Sequence, residues 1–368
     1  MRGEGGRVLP YLVALSLLLG ALGGGGAAEA GERALKTVRF VRGSLSNSPA
    51  YGPYSSIPVG LGYYAEEGLD VTFSAAAGSL ATIQQLAAGH GDVGIPSPEA
   101  VLIARQPDKN IRLVHFYNYN RHNIYTVVVP EGSPVRAWAD LRGKSLGVSS
   151  IASIGTALAK ASLRAFGVDP EKDVAFLAVG QGGQAMAALK AGRVDGLALW
   201  ELEYAAMEGA GLRLRRLVNP AFAKFFSNGI VAREEFLQAN PEAVAGLGRA
   251  VAKATVFAME NPEAAVRIHW KVYPDAKPKG LDEAMALKDS VFLLKEALKI
   301  FDFKEGDRVR KWGAWDPEEW QVFGDAMAQL GIVKARIPPA EAYTNAFVDR
   351  FNAFDAAKVR AQARGSKD

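Results

Sequence analysis

Leu86-Ala87-Ala88-Gly89-His90-Gly91-Asp92 recurs 103 residues later as Leu189-Lys190-Ala191-Gly192-Arg193-Val194-Asp195. Each copy reads as a helix end, a glycine that stops the helix and an aspartate that leads into a short apolar strand. Leu, Ala, Gly and Asp return at matched places, and the helix–turn–strand order around them returns without a gap. Two lobes that share one β-α-β piece follow from this. The aspartates themselves fit a turn or capping role. The same offset pairs Gly78 and Ser79 with Gln181 and Gly182 at helix starts, and Ser97 with Trp200 just past strand ends. Open parallel sheets bind ligands beyond their strands' carboxyl ends and near helix N-termini, so two such lobes face to face put both sets on one cleft.

Outward from the repeat, apolar runs alternate with amphipathic ones. Strands are expected at 37–42, 69–73, 93–95, 111–116, 124–129, 146–148, 174–179 and 197–200. Helices are expected at 55–65, 79–88, 156–166 and 184–191, which predicts an α/β protein of mostly parallel sheets with helices on both faces. After Phe236 the pattern turns almost wholly helical. There Asp316-Pro317-Glu318-Glu319 opens a helix with a cap, a first-turn proline and acids at the positive end. Trp320, Phe323, Met327 and Leu330 follow at helical spacing and predict a core face rather than a stacking platform.

The 368 residues are 49% hydrophobic and 22% charged, ordinary globular composition that excludes wholesale disorder and a multi-span membrane protein. The formal charge of +4 is spread along the chain and makes no nucleic-acid stripe. Absence of Cys excludes disulfides, thiolate metal sites, Cys nucleophiles and a lipidated N-terminal cysteine. The four histidines stand at no metal-ligand spacing, and no G-x-S-x-G elbow occurs. No cofactor is expected. Arg2 and Arg7, the apolar run from Val8 to Leu22 and Ala28-Glu29-Ala30 make a signal peptide over residues 1–30, cleaved near Ala30. The apolar run is too short to span a bilayer, so a periplasmic protein without a membrane span is expected.

Gly62-Tyr63-Tyr64-Ala65-Glu66-Glu67-Gly68-Leu69-Asp70-Val71 resembles a signature of periplasmic solute-binding proteins of ABC importers, in the nitrate, sulfonate and taurine branch that also holds binders of thiamine-precursor pyrimidines. Asp140-Leu141-Arg142-Gly143-Lys144-Ser145-Leu146-Gly147-Val148, Trp200-Glu201 and the stretch from Tyr343 to Asp355 are similar too, although Leu202 stands where that branch commonly has Pro. The resemblance implies a two-lobed type II clamshell hinged on two crossing strands, with lobe I at 37–125 and 222–368 and lobe II at 126–221. It also implies a small-molecule solute, delivery to a permease in the inner membrane, and a monomer. A sensing module for a signalling receptor is an alternative. An enzyme of thiamine-pyrimidine synthesis is another, although such enzymes carry a Cys-rich motif.

Candidate solute contacts gather in loops. Ser149, Ser150, Ser153, Gly155 and Thr156 crowd a helix start, suited to an anionic head or to a plain cap. Gly78 and Ser79 offer a second such start, with Ser97 and Gly182 at repeat-matched places. Ser46, Asn47, Tyr51 and Tyr54 follow the first strand, and Tyr51 or Tyr54 fits lobe packing equally well. Trp200 would add a flat wall. Glu201 would pair with a solute cation or with an internal base. Tyr117 to Asn123 could reach the cleft mouth, but a solvated turn is expected for most of it. The solute is expected to be anionic or zwitterionic, with an aromatic part possible by the same residues.

Overall fold

The computed structural model describes residues 34–366. The expected signal peptide lies outside them. None of the helices among the described residues is long and apolar enough to cross a membrane.

Ten strands form two sheets among these residues: β1 (Lys36–Arg42), β2 (Leu69–Ala75), β3 (Val93–Gly94), β4 (Leu113–Asn118), β5 (Tyr125–Pro130), β6 (Lys144–Val148), β7 (Val174–Ala178), β8 (Gly196–Trp200), β9 (Leu214–Leu217) and β10 (Gly229–Arg233). The orders are β2-β1-β3-β10-β4 and β7-β6-β8-β5-β9. In each sheet the first three strands are parallel and the other two pairings are antiparallel. The sheets are therefore mixed rather than mostly parallel. One strand in each, β5 or β10, enters directly from the other half of the chain, and so runs against its neighbours.

Period-two burial seats helices on both faces. Val127 and Val129 pack with Ala159 and Leu163, whereas Val128 packs with Ala185, Ala188 and Tyr204. Val38 and Phe40 face one core of the first sheet and Val41 the other.

The repeat is a latch. Gly89 and Gly192 take positive φ, 75° and 66°, and close the helices Ser79–Ala87 and Gly183–Lys190. Asp92 then donates its N–H to the Arg39 carbonyl (2.9 Å) and accepts from the Arg39 N–H (2.9 Å). Asp195 does the same with Ser145, donating to its carbonyl (2.9 Å) and accepting from its N–H (2.8 Å). Each aspartate thus ties a helix end to the neighbouring parallel strand.

The chain crosses between sheets twice, over 119–124 and over 218–228. The crossings are joined: the Asn120 N–H donates to the Asn228 carbonyl and the Ser227 N–H to the Asn120 carbonyl, both at 2.8 Å. The helical carboxyl region packs on the first sheet. Trp320, Phe323 and Met327 are buried, and Asp316 caps the Glu318 and Glu319 amides as expected. Leu330 is only half-buried. The helix expected over 55–65 is two short ones, Ser56–Gly60 and Tyr63–Glu66, parted where Gly62 takes φ 73°. The helix expected from Thr156 starts at Ile154 because Ser153 caps it.

Candidate functional site

A cavity of about 280 Å³ lies between the two sheets, at the carboxyl ends of β1, β6 and β8 and against both crossings. From the first half, Gly78 and Ser79 open the helix Ser79–Ala87 onto it, and Tyr51 and Tyr54 form a wall. From the second half come Ser149, Ser150, Ser153 and Gly155 at the start of the helix Ile154–Ala165, with Trp200 at the end of β8. The structure thus brings nine of the expected residues to one space.

The other expected residues lie off it, most of them with polar groups engaged elsewhere or buried. The Ser46 carbonyl and the Asn47 side chain accept from Arg42, and the Asn47 carbonyl accepts from His269 Nε2 (2.8 Å). Ser97 is fully buried, and its N–H donates to Ser79 Oγ (2.9 Å). Thr156 Oγ1 donates to the Ser150 carbonyl (2.8 Å). The Gly182 N–H donates to the Glu203 carboxylate (2.6 Å), so that glycine-rich turn already faces an anion. Glu201 pairs with Arg216 (2.8 Å), the internal option of the two open for it. Ser153 Oγ accepts from the Thr156 N–H (3.2 Å), so it is a cap as well as a lining residue.

The sequence did not single out Tyr125, Asn228 or Phe301, and of the stretch with Tyr119 and Asn120 it held that it could reach the cleft mouth while expecting a solvated turn for most of it; all five line the cavity. The turn is buried instead: Tyr119, Asn120 and Arg121 are 4%, 7% and 5% exposed. Pairing with the second crossing covers its backbone, and Arg121 pairs with Asp307 (3.3 Å). Tyr119 meets Phe301 at 4.2 Å between centroids and Tyr54 edge-on at 5.1 Å.

The wall is uncharged. Its polar groups are hydroxyls, side-chain amides and first-turn backbone amides, beside Tyr51, Tyr54, Tyr119, Tyr125, Trp200 and Phe301. Burial pushes the Tyr51 hydroxyl up to about 12, so it is a neutral donor. Charges stand just behind the wall. Arg42 acts on Tyr51 and Tyr54, Glu203 on Tyr51, and Glu99 on Tyr125. Glu99 is 3% exposed, its Oε2 has no partner, and burial pushes its carboxyl up to about 7. Among the described residues no group of three or more His, Cys, Asp or Glu could hold a metal ion.

The profile of the NMT1/THI5 like family matches residues 59–265, more than half of the chain. The chain belongs to this family. The riboflavin-binding protein RibY of Chloroflexus aurantiacus is 26% identical over 305 residues, 81% of this chain and 82% of that one. The alkanesulfonate-binding protein SsuA from Xanthomonas axonopodis pv. citri, bound to MOPS, shares the fold with a TM-score of 0.61 at 17% identity, over 84% of this chain and 98% of that one. The periplasmic nitrate-binding protein NrtA from Synechocystis PCC 6803 does so with a TM-score of 0.62 at 15% identity, over 91% and 99%. The family segment 59–265 contains both copies of the repeat and both crossings, so the cavity is built largely from family sequence.

Proposed function

We propose that this protein is the extracytoplasmic solute-binding component of an ABC importer, which captures a small aromatic solute between two lobes and delivers it to a membrane permease. The observation that carries the reading is the aromatic, uncharged cavity walled by both halves of the chain. Its size is near the lower end for small-molecule sites. The moving bodies are 37–125 with 222–368, and 126–221, turning on the two joined crossings. A solute that touches both lobes binds the closed form better and shifts the population toward it. Micromolar binding needs roughly −8 kcal/mol, within reach of a few hydrogen bonds and aromatic contacts. The wall offers hydroxyls and amides but no imidazole or carboxylate base, which favours capture over turnover. RibY, by its name a riboflavin binder, makes riboflavin the first solute to try.

The test is a thermal-shift screen with riboflavin, pyrimidines, sulfonates and nitrate, joined to mass spectrometry of whatever co-purifies. At least one compound should raise the melting temperature and be recovered unchanged. No shift with any compound and no co-purifying small molecule would overturn the reading, as would recovery of a chemically altered solute.

A further inference from the structure

Beside the cavity the two halves of the chain touch each other directly. The helix Glu201–Gly209 belongs to the second half and leaves the end of β8 at the cavity. The helix Glu283–Phe301 belongs to the first half and ends on the cavity at Phe301. These two helices pack on each other.

The contact is apolar on both sides. Leu202 lines the cavity at the start of its helix and packs, with Trp200, on the core that holds Leu294, Leu298 and Phe301. It is also the residue that stands where the resembled branch commonly has Pro, so this side chain at the seam is the chain's own. Seven residues on, along the same stripe of the helix, Gly209 faces the Phe292 ring: a Cβ there would lie 3.5 Å from it, at ordinary contact distance. Phe292 is 38% exposed as it stands, and parting the helices would uncover more of it. The charges of the second-half helix are satisfied within their own half, since Glu201 and Glu208 both pair with Arg216 (2.8 Å each). Across the cavity, Trp200 and Glu203 of the second half act on the Tyr51 hydroxyl of the first, so in this form the halves already meet.

We propose that the helices Glu201–Gly209 and Glu283–Phe301 are a clasp between the lobes, with Phe292 seated on Gly209, that draws part of the protein into its closed form before any solute arrives. This deepens the receptor reading and rests on its two moving bodies. Neither Phe292 nor Gly209 lines the cavity, so the clasp sets affinity from outside it. The apparent dissociation constant rises as the closed fraction falls.

The experiment is electron–electron distance measurement on the solute-free full chain, spin-labelled at Leu45→Cys and Ile151→Cys on the two halves, with and without Phe292→Ala or Gly209→Trp. Calorimetric titration of the same chains with riboflavin accompanies it. The parent should show a short distance component beside a longer one. Each variant should lose most of the short component and bind riboflavin roughly tenfold more weakly. Thermal melts report that the variants are folded. A solute-free parent without a short component, or variants that leave the distribution unchanged, would overturn the proposal while the receptor reading stands. If riboflavin does not bind, the solute-free distances decide the proposal alone, and the receptor reading stands or falls by its own screen.

Discussion

Asp92 and Asp195 hold corresponding bonds, but in different surroundings. Asp92 is the more buried, at 14% side-chain exposure against 40% for Asp195. The Arg39 side chain that adds to the first latch is half exposed, so the bond to its backbone N–H dominates. Asp92→Ala should cost about 1–3 kcal/mol by urea denaturation, and Asp195→Ala less. Two buried groups pull stability in opposite directions with pH. Glu99 has a raised folded pKa of about 7, so its contribution is present below the unfolded value and is lost as pH rises through 7. Glu99→Gln should therefore be the more stable protein at pH 8, by up to about 3 kcal/mol, with the difference shrinking toward pH 4.5. His269 is held neutral by burial, with a pKa pushed down to about 4, while Nδ1 meets Ser56 Oγ (2.7 Å) and Nε2 donates to the Asn47 carbonyl. Protons then favour the unfolded chain from pH 6.5 down to about 4, and stability falls over that window. His115, buried against Trp315 and Trp320, pulls the same way. His269→Gln should flatten only part of the acid slope. At this scale the aspartates were legible because both copies of the latch are local in sequence. Asn120 was legible only as one of two options, since a polar loop residue reads as solvated until a distant segment covers it.

The helix Ile154–Ala165 shows how one element serves both fold and cavity. Ser153 caps it, so Ser153→Ala should cost about 1 kcal/mol of stability. Ser150, exposed on the cavity rim, should change stability by less than about 0.5 kcal/mol when made Ala, which separates cap from lining. β10 passes tightly under Trp315: a Cβ at Gly229 would sit 2.5 Å from that ring and 2.7 Å from the Tyr117 carbonyl oxygen. Gly229→Ala should destabilise by about 1–3 kcal/mol in thermal or urea melts. The strands that recur through the repeat were readable, and so was the capped helix after Asp316. β10 was not, because its partners β3 and β4 lie over a hundred residues upstream and nothing in 229–233 names them. The helices Pro98–Ala104 and Glu201–Gly209 were missed as well, each beginning directly at the loop or strand end that drew attention to a candidate contact.

Over the whole molecule, the two like halves were visible in the spacing of seven residues, and the cavity follows from their facing ends. Its far wall was not visible, because Phe301 arrives from the end of the helix Glu283–Phe301 to meet Tyr119 across about half the chain. Trp200, at the end of β8, closes another side, and Trp200→Ala should weaken a bound aromatic solute by roughly tenfold in calorimetry through lost ring contact. The chain has no Cys, so a spin-label pair can be placed without background. Leu45 and Ile151 suit it, being 62% and 54% exposed beside Ser44 and Ser150 on opposite halves of the cavity. Electron–electron distance measurement on Leu45→Cys/Ile151→Cys, with and without saturating solute, should show the distribution becoming shorter and narrower as the lobes close. Saturated binding with an unchanged distribution would mean that the two halves do not close on what they hold.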